Sequence, residues 1–284
     1  MLGRRVMEMR EEITEVRLRV GRAAELVSAE RSLQEGEPME EKAIRKIAAG
    51  MLEHSLYAWE EELCRGFFSL PGGCRVGVSG RYAARDGQMR ELVHIQALCV
   101  RVPREIPGCA KEIAAAALQG PRPRGVLLVS RPGMGKTTCL RDLVRRVSEA
   151  GWHVGLADDR GELAAMRGAT PTLNVGPRTD VMDACPKDQA IPRLVRSMSP
   201  DVIAVDELGS AGDGEAVLEA MRCGVTVMAT AHASGFSQAR RRACLGALMD
   251  AGAFPVRALL DGAPGRVADM RICQDGNDGE DGSP

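Results

Sequence analysis

GVLLVSRPGMGKTTCL, residues 125–140, decides the fold. An apolar run reads as a buried strand, a glycine-bearing turn breaks it, and a helical stretch follows from Thr137 to Val147. This strand–loop–helix order is what a phosphate cradle requires, because successive backbone N–H groups and the positive end of the helix converge on one place. Gly133 and Gly135 lack a Cβ and leave room for the wrap. In such a P-loop Lys136 reaches the β- and γ-phosphates and the Thr137 hydroxyl ligates Mg²⁺. Residues Ser130, Arg131, Pro132, Gly133, Met134, Gly135, Lys136, Thr137 and Thr138 are therefore expected to bind ATP with Mg²⁺. The strict pattern begins with Gly where this chain has Ser130. A small side chain at the turn should be tolerated, with some loss of affinity.

Working outward, the residues after the P-loop alternate apolar runs with helical stretches. HVGLA, Gln189 to Met198, DVIAVDE, Glu215 to Arg222 and VTVMAT follow in order. That rhythm predicts a parallel sheet covered by helices. DVIAVDELG, Asp201 to Gly209, is an apolar run ending in two acids. Asp206 at the strand end is placed to hold Mg²⁺ through water, and Glu207 to orient and deprotonate an attacking water. The extra strand HVGLA between the P-loop and this acid, with the adjacent Glu, marks the RecA-like branch of P-loop proteins.

Before the P-loop, Gln119-Gly-Pro-Arg-Pro-Arg124 concentrates helix breakers and charge and reads as a linker. Upstream, EVRLRV alternates as a half-buried strand does, and Pro38 to Leu56 has helical spacing. Phe67 to Val102 reads as a β-meander with turns at Pro71-Gly72-Gly73 and Asp86-Gly87. The expected organisation is a smaller α+β N-terminal domain over 1–118, a linker over 119–124, a RecA-like P-loop domain over 125–273, and a disordered acidic tail over 274–284. The fold class is α/β.

Composition limits the alternatives. The 284 residues are 44% apolar and 27% charged, an ordinary globular balance, and a net charge of -1 counts against a general nucleic-acid binder. No apolar run approaches the ~18–20 residues of a membrane span. MLGRRVMEMREE has no apolar stretch after its basic pair, so no secretory signal is expected. The nine cysteines form no C-x-x-C and read as reduced, buried thiols of a cytosolic protein. Trp59 and Trp152 read as packing residues, and Arg240-Arg241-Arg242 as a solvated helix face.

HVGLADDRGELA, GPRTDVMDACPKDQA, LVRSMSPDVIAVDELG and EAVLEAMRCGVTVMATAHA, with PGGCRVGVSGR upstream, closely resemble the family of stage III sporulation protein AA. That family is related to the ATPases that drive type II and type IV secretion. The resemblance implies an acidic box at Asp158, Asp159 and Glu162, and a histidine box at His232. It also implies that Arg75, Arg81 or Arg101 reaches a neighbouring subunit's γ-phosphate. Each has an alternative reading: a solvated acidic loop, a hydrogen-bonded structural histidine, and surface arginines. By resemblance the chain is a cytosolic ATPase, forms a hexameric ring, and energises a channel between mother cell and forespore. It would dock on membrane-bound sporulation proteins rather than enter the membrane itself. A nucleic-acid-dependent motor and a nucleotide-gated scaffold with little turnover are the rival readings. Near-neutral charge speaks against the first, and the intact Lys136, Thr137, Asp206 and Glu207 against the second.

Overall fold

Alternation in the N-terminal half produces a sheet with one buried face. The computed structural model describes residues 13–28, 31–52, 66–70, 74–85, 88–102 and 105–273. The expected turns at Pro71–Gly73 and Asp86–Gly87, Trp59 and the acidic tail over 274–284 lie outside these residues. The chain divides into two compact units, residues 1–104 and 105–284.

In the first unit the described strands are β1 (Ile13–Arg19), β2 (Ala24–Ser28), β3 (Ser32–Glu35), β4 (Phe67–Leu70), β5 (Cys74–Arg85) and β6 (Gln88–Arg101). They form a six-stranded sheet in the order β3-β2-β1-β6-β5-β4, with every described pairing antiparallel. Helix α1 (Glu41–Met51) supplies Ile44 and Ala48, joined by Leu52 at its C-cap, at helical spacing to the same core. Val76, Val78, Ile95 and Leu98 meet them from β5 and β6. Strands β2 and β3 are not expected from sequence. AELVS and SLQE are too short to announce themselves, and pairing of β2 with β1 and of β3 with β2 makes them strands.

The second unit has β7 (Val126–Ser130), β8 (Val154–Asp158), a short β9–β10 pair (Met166–Arg167, Thr170–Pro171), β11 (Thr179–Asp183), β12 (Val202–Val205), β13 (Thr226–His232), β14 (Val256–Leu260) and β15 (Val267–Ile272). Among the described residues these build a seven-stranded sheet ordered β11-β8-β12-β13-β7-β14-β15. All pairs are parallel except β14 with β15. Its helices are α2 (Lys111–Ala117), α3 (Lys136–Glu149), α4 (Lys187–Met198), α5 (Ala211–Arg222), α6 (Phe236–Arg240) and α7 (Ala243–Asp250). Central strand β7 is buried on both faces. Val126 and Leu128 pack with α2 and α3, whereas Leu127 and Val129 pack with α4, α5 and α7. A parallel sheet sandwiched between helices needs such a continuous apolar run. The fold class is the expected one, α/β with a RecA-like P-loop unit.

The unit boundary falls upstream of the expected 119–124 linker. Ile113, Ala114, Ala116 and Ala117 of α2 are buried in the core that holds β7, so this helix belongs to the second unit. The 119–124 segment is tied into the same unit: Arg124 N donates to Ala117 O at 2.7 Å and Thr226 Oγ1 to Pro123 O at 3.1 Å. Its prolines and charges end a helix rather than separate two bodies.

Candidate functional site

In a parallel sheet the chemistry gathers where the strands end at their carboxyl side. Ser130 closes β7, Asp206 follows β12, and His232 closes β13 in register with Ser130. Asp158 closes β8. Register alone therefore brings the P-loop, the paired acids and the histidine to one edge.

Backbone geometry suits the loop to an anion. Gly133 and Gly135 have φ of 79° and 78°, in the left-handed region that glycine tolerates. Gly135 caps α3, and Cys139 N donates to its carbonyl at 2.9 Å. The turn between β14 and β15 braces the loop, with Gly265 N donating to Met134 O at 2.9 Å. A Cβ on Gly135 would stand 2.7 Å from Gly265 N, whereas one on Gly133 would meet nothing within 4 Å.

Lys136 is buried and folds back on the end of β7. Its Nζ donates to Ser130 Oγ at 3.2 Å and to the carbonyls of Ser130 and Arg131, both at 3.4 Å. Burial pushes its pKa down, against the pull of Asp206 and Glu207. Nζ also lies 2.9 Å from His232 Nδ1, while His232 Nε2 lies 2.8 Å from Glu207 Oε1. An ammonium has only donors and a carboxylate only acceptors. The network thus assigns a neutral His232 with its proton on Nε2.

The acids are held by side chains that sequence reasoning missed. Thr137 Oγ1 donates to Asp206 Oδ2 at 2.7 Å, and Thr230 Oγ1 donates to Asp206 Oδ1. The same Thr230 oxygen accepts from Glu207 N at 2.8 Å, and Lys187 Nζ donates to Glu207 O at 2.9 Å. These bonds pin Glu207 at φ 54°, a conformation uncommon for a residue with a Cβ. Arg160 Nη1 lies 2.8 Å from Glu207 Oε2. Burial acts to raise the Glu207 pKa, but the His232 hydrogen bond and the Arg160 and Lys187 charges hold it below the usual carboxylate range. Nothing in local spacing signals Thr230, Lys187 or Arg160, since each arrives from a different strand, helix or loop.

Thr137 and Asp206 set hard oxygens side by side, a donor set that fits Mg²⁺. Among the described residues no cluster of three or more His, Cys, Asp or Glu is placed to hold a metal by itself. An ion carried by phosphate oxygens needs no such cluster.

The remaining sequence candidates are dispersed. Asp158 is buried and accepts from the backbone N–H groups of Glu162, Leu163 and Ala164, so it staples its own loop. Asp159 and Glu162 are half-buried in that loop. Arg75, Arg81 and Arg101 all belong to the first unit. Arg75 lies 3.7 Å from the Phe67 ring centroid, Arg101 Nε is 3.4 Å from Glu15 Oε1, and Arg81 is exposed.

Known proteins agree with this architecture. The family described as sporulation stage III, protein AA matches residues 1–274. Stage III sporulation protein AA of Bacillus subtilis (strain 168) is 34% identical over 273 residues, covering 94% of this chain and 88% of that protein. The Legionella pneumophila ATPase DotB superposes with a TM-score of 0.63 at 16% identity, over 91% of this chain and 75% of its own. The pilus retraction motor PilT with bound ADP gives a TM-score of 0.66 at 16% identity, over 97% of this chain and 83% of its own. At such identities these two structures speak for the fold alone, whereas the family match and the Bacillus relative span nearly the whole length. The chain belongs to the sporulation stage III, protein AA family.

Proposed function

We propose that the chain is an ATP-hydrolysing motor of the secretion type, which energises a sporulation channel between mother cell and forespore. The observation that carries this reading is the continuous relay Thr137–Asp206–Thr230–Glu207 beside a P-loop lysine. The P-loop amides and Lys136 bind the phosphates of ATP, and Thr137 and Asp206 would hold Mg²⁺, which would supply neutralising positive charge. Glu207 orients water and takes its proton, and His232 links that carboxylate to the phosphate-binding lysine. Membership in the sporulation stage III, protein AA family supports the sporulation setting. A hexameric ring docked on membrane-bound sporulation proteins is part of this proposal, and so is a place at the membrane around the forespore. No described helix is long and apolar enough to cross a membrane.

The test is ATP turnover by the full chain across protein concentration, with particle mass measured in ATP. Lys136→Ala should abolish nucleotide binding. Glu207→Gln should bind ATP and lose about 10²–10⁴-fold in turnover, the usual weight of a positioned base. Near-wild-type hydrolysis by Glu207→Gln would remove that residue from its role. ATP binding with no wild-type turnover would favour a nucleotide-gated scaffold.

A further inference from the structure

The loop after β8 matches an acidic box by resemblance, yet what it delivers to the site is a cation. Its buried acid serves the loop itself: Asp158 Oδ1 accepts from Glu162 N at 3.0 Å and Leu163 N at 3.1 Å, and Oδ2 from Ala164 N at 2.8 Å. Arg141 fastens the far side of the loop, donating to Leu163 O and Glu162 O, both at 2.7 Å. With its backbone fixed this way, the turn carries Arg160 to the end of β12, where Nη1 meets Glu207 Oε2 at 2.8 Å.

We propose that Arg160 is a positioning residue for Glu207, gripping the second carboxylate oxygen and so fixing the plane in which the group meets water. The inference rests on reading Glu207 as the water-activating acid. His232 holds only Oε1, and one hydrogen bond is a pivot about which a carboxylate can turn. A guanidinium on Oε2 removes that freedom, because a charge-assisted contact to an arginine adds direction as well as strength. Stability does not explain the pair. The Arg160 side chain is 56% exposed, and ion pairs at such places add little to folding. Orientation is where a weak contact has leverage, since a misplacement of about 1 Å can cost about 10²-fold in rate. The charged groups facing Glu207 are Arg160, Lys187 and, from the P-loop side, Lys136, and the titratable His232 meets it as a neutral donor.

The experiment compares steady-state ATP hydrolysis by the full-length wild type, Arg160→Ala and Arg160→Lys. Arg160→Ala should lower kcat by about 10–100-fold with KM for ATP within about twofold of wild type, the pattern of a lost transition-state contact. Arg160→Lys, a point charge without the planar fork, should recover only part of kcat. A wild-type kcat in Arg160→Ala would overturn the inference and leave a surface charge. A raised KM with unchanged kcat would overturn it in favour of phosphate binding. If the wild type binds ATP and never hydrolyses it, the functional reading and this inference fall together; if only the variants match wild type, this inference falls alone.

Discussion

Ser130 shows how one departure from a motif can be weighed. Its buried hydroxyl donates to Arg131 O at 2.7 Å and accepts from Lys136 Nζ at 3.2 Å, so it belongs to the set of acceptors that the lysine must leave to reach phosphate. Ser130→Gly removes one of them. The expected outcome is ATP binding tightened by about two- to fivefold, the value of one long hydrogen bond, measured by titration calorimetry. A glycine at the end of β7 should cost about 0.5–1 kcal/mol in backbone entropy. Weaker ATP binding in the variant would mean that the hydroxyl orients Lys136 productively. At this scale the sequence was informative for residues whose place follows from a local pattern. Lys136 and Thr137 open the helix after the loop, Asp206, Glu207 and His232 sit at strand ends, and the structure brings them together. Thr230, Lys187 and Arg160 reach the same acids only through the parallel register of β8, β12 and β13 and the loops they anchor. Asp158 also shows a role that local spacing did not announce, since this buried acid accepts from three backbone N–H groups and staples its own loop.

Among elements, the β14–β15 hairpin is the one whose contribution to the site was hidden. VRALL and VADMRI carry Arg and Asp among their apolar residues, so neither announces a core strand. Pairing of β14 with β7 makes them part of the sheet and lays their turn against the P-loop. The long apolar runs that became β7, β8, β12 and β13 were legible because a strand buried on both faces permits little else. Helix α2 was not, since KEIAAAA is short, has no side-chain N-cap, and is helical through packing. The hairpin brace leads to a paired expectation. Both Gly133→Ala and Gly135→Ala put a Cβ at positive φ, costing about 1–2 kcal/mol each. Only at Gly135 does the added carbon also press on backbone, 2.7 Å from Gly265 N and 3.1 Å from Pro264 C, which should add about 1–3 kcal/mol. Thermal unfolding should therefore show the larger drop in Tm for Gly135→Ala. Equal drops would mean that the hairpin yields freely and does not brace the loop.

For the whole molecule, the question is whether a site is completed by a neighbouring subunit. The first unit carries the three candidate arginines, and its sheet gives two of them an unusual setting. Arg75 and Arg101 stand in register on β5 and β6, and Glu15 on β1 is in register with Arg101. Two guanidinium groups opposite each other are unfavourable, and Glu15 supplies one compensating charge. That carboxyl is held below the usual range by Arg17, Cys99 and Arg101 against the effect of burial. Magnitude separates the two readings of these residues. An arginine acting on the γ-phosphoryl group in trans is worth about 10³–10⁵ in rate, whereas replacing a surface arginine should change stability by under about 1 kcal/mol and leave turnover alone. We expect at least one of Arg75→Ala, Arg81→Ala and Arg101→Ala to lose turnover while retaining ATP binding. Mixing that variant with Lys136→Ala should then recover part of the activity that neither has alone. A subunit with a dead P-loop still offers its own arginine to the intact site next door, so recovery requires a shared site. Turnover unchanged in all three variants, or no recovery in any mixture, would place the trans cation elsewhere in the chain or remove the shared site from the mechanism.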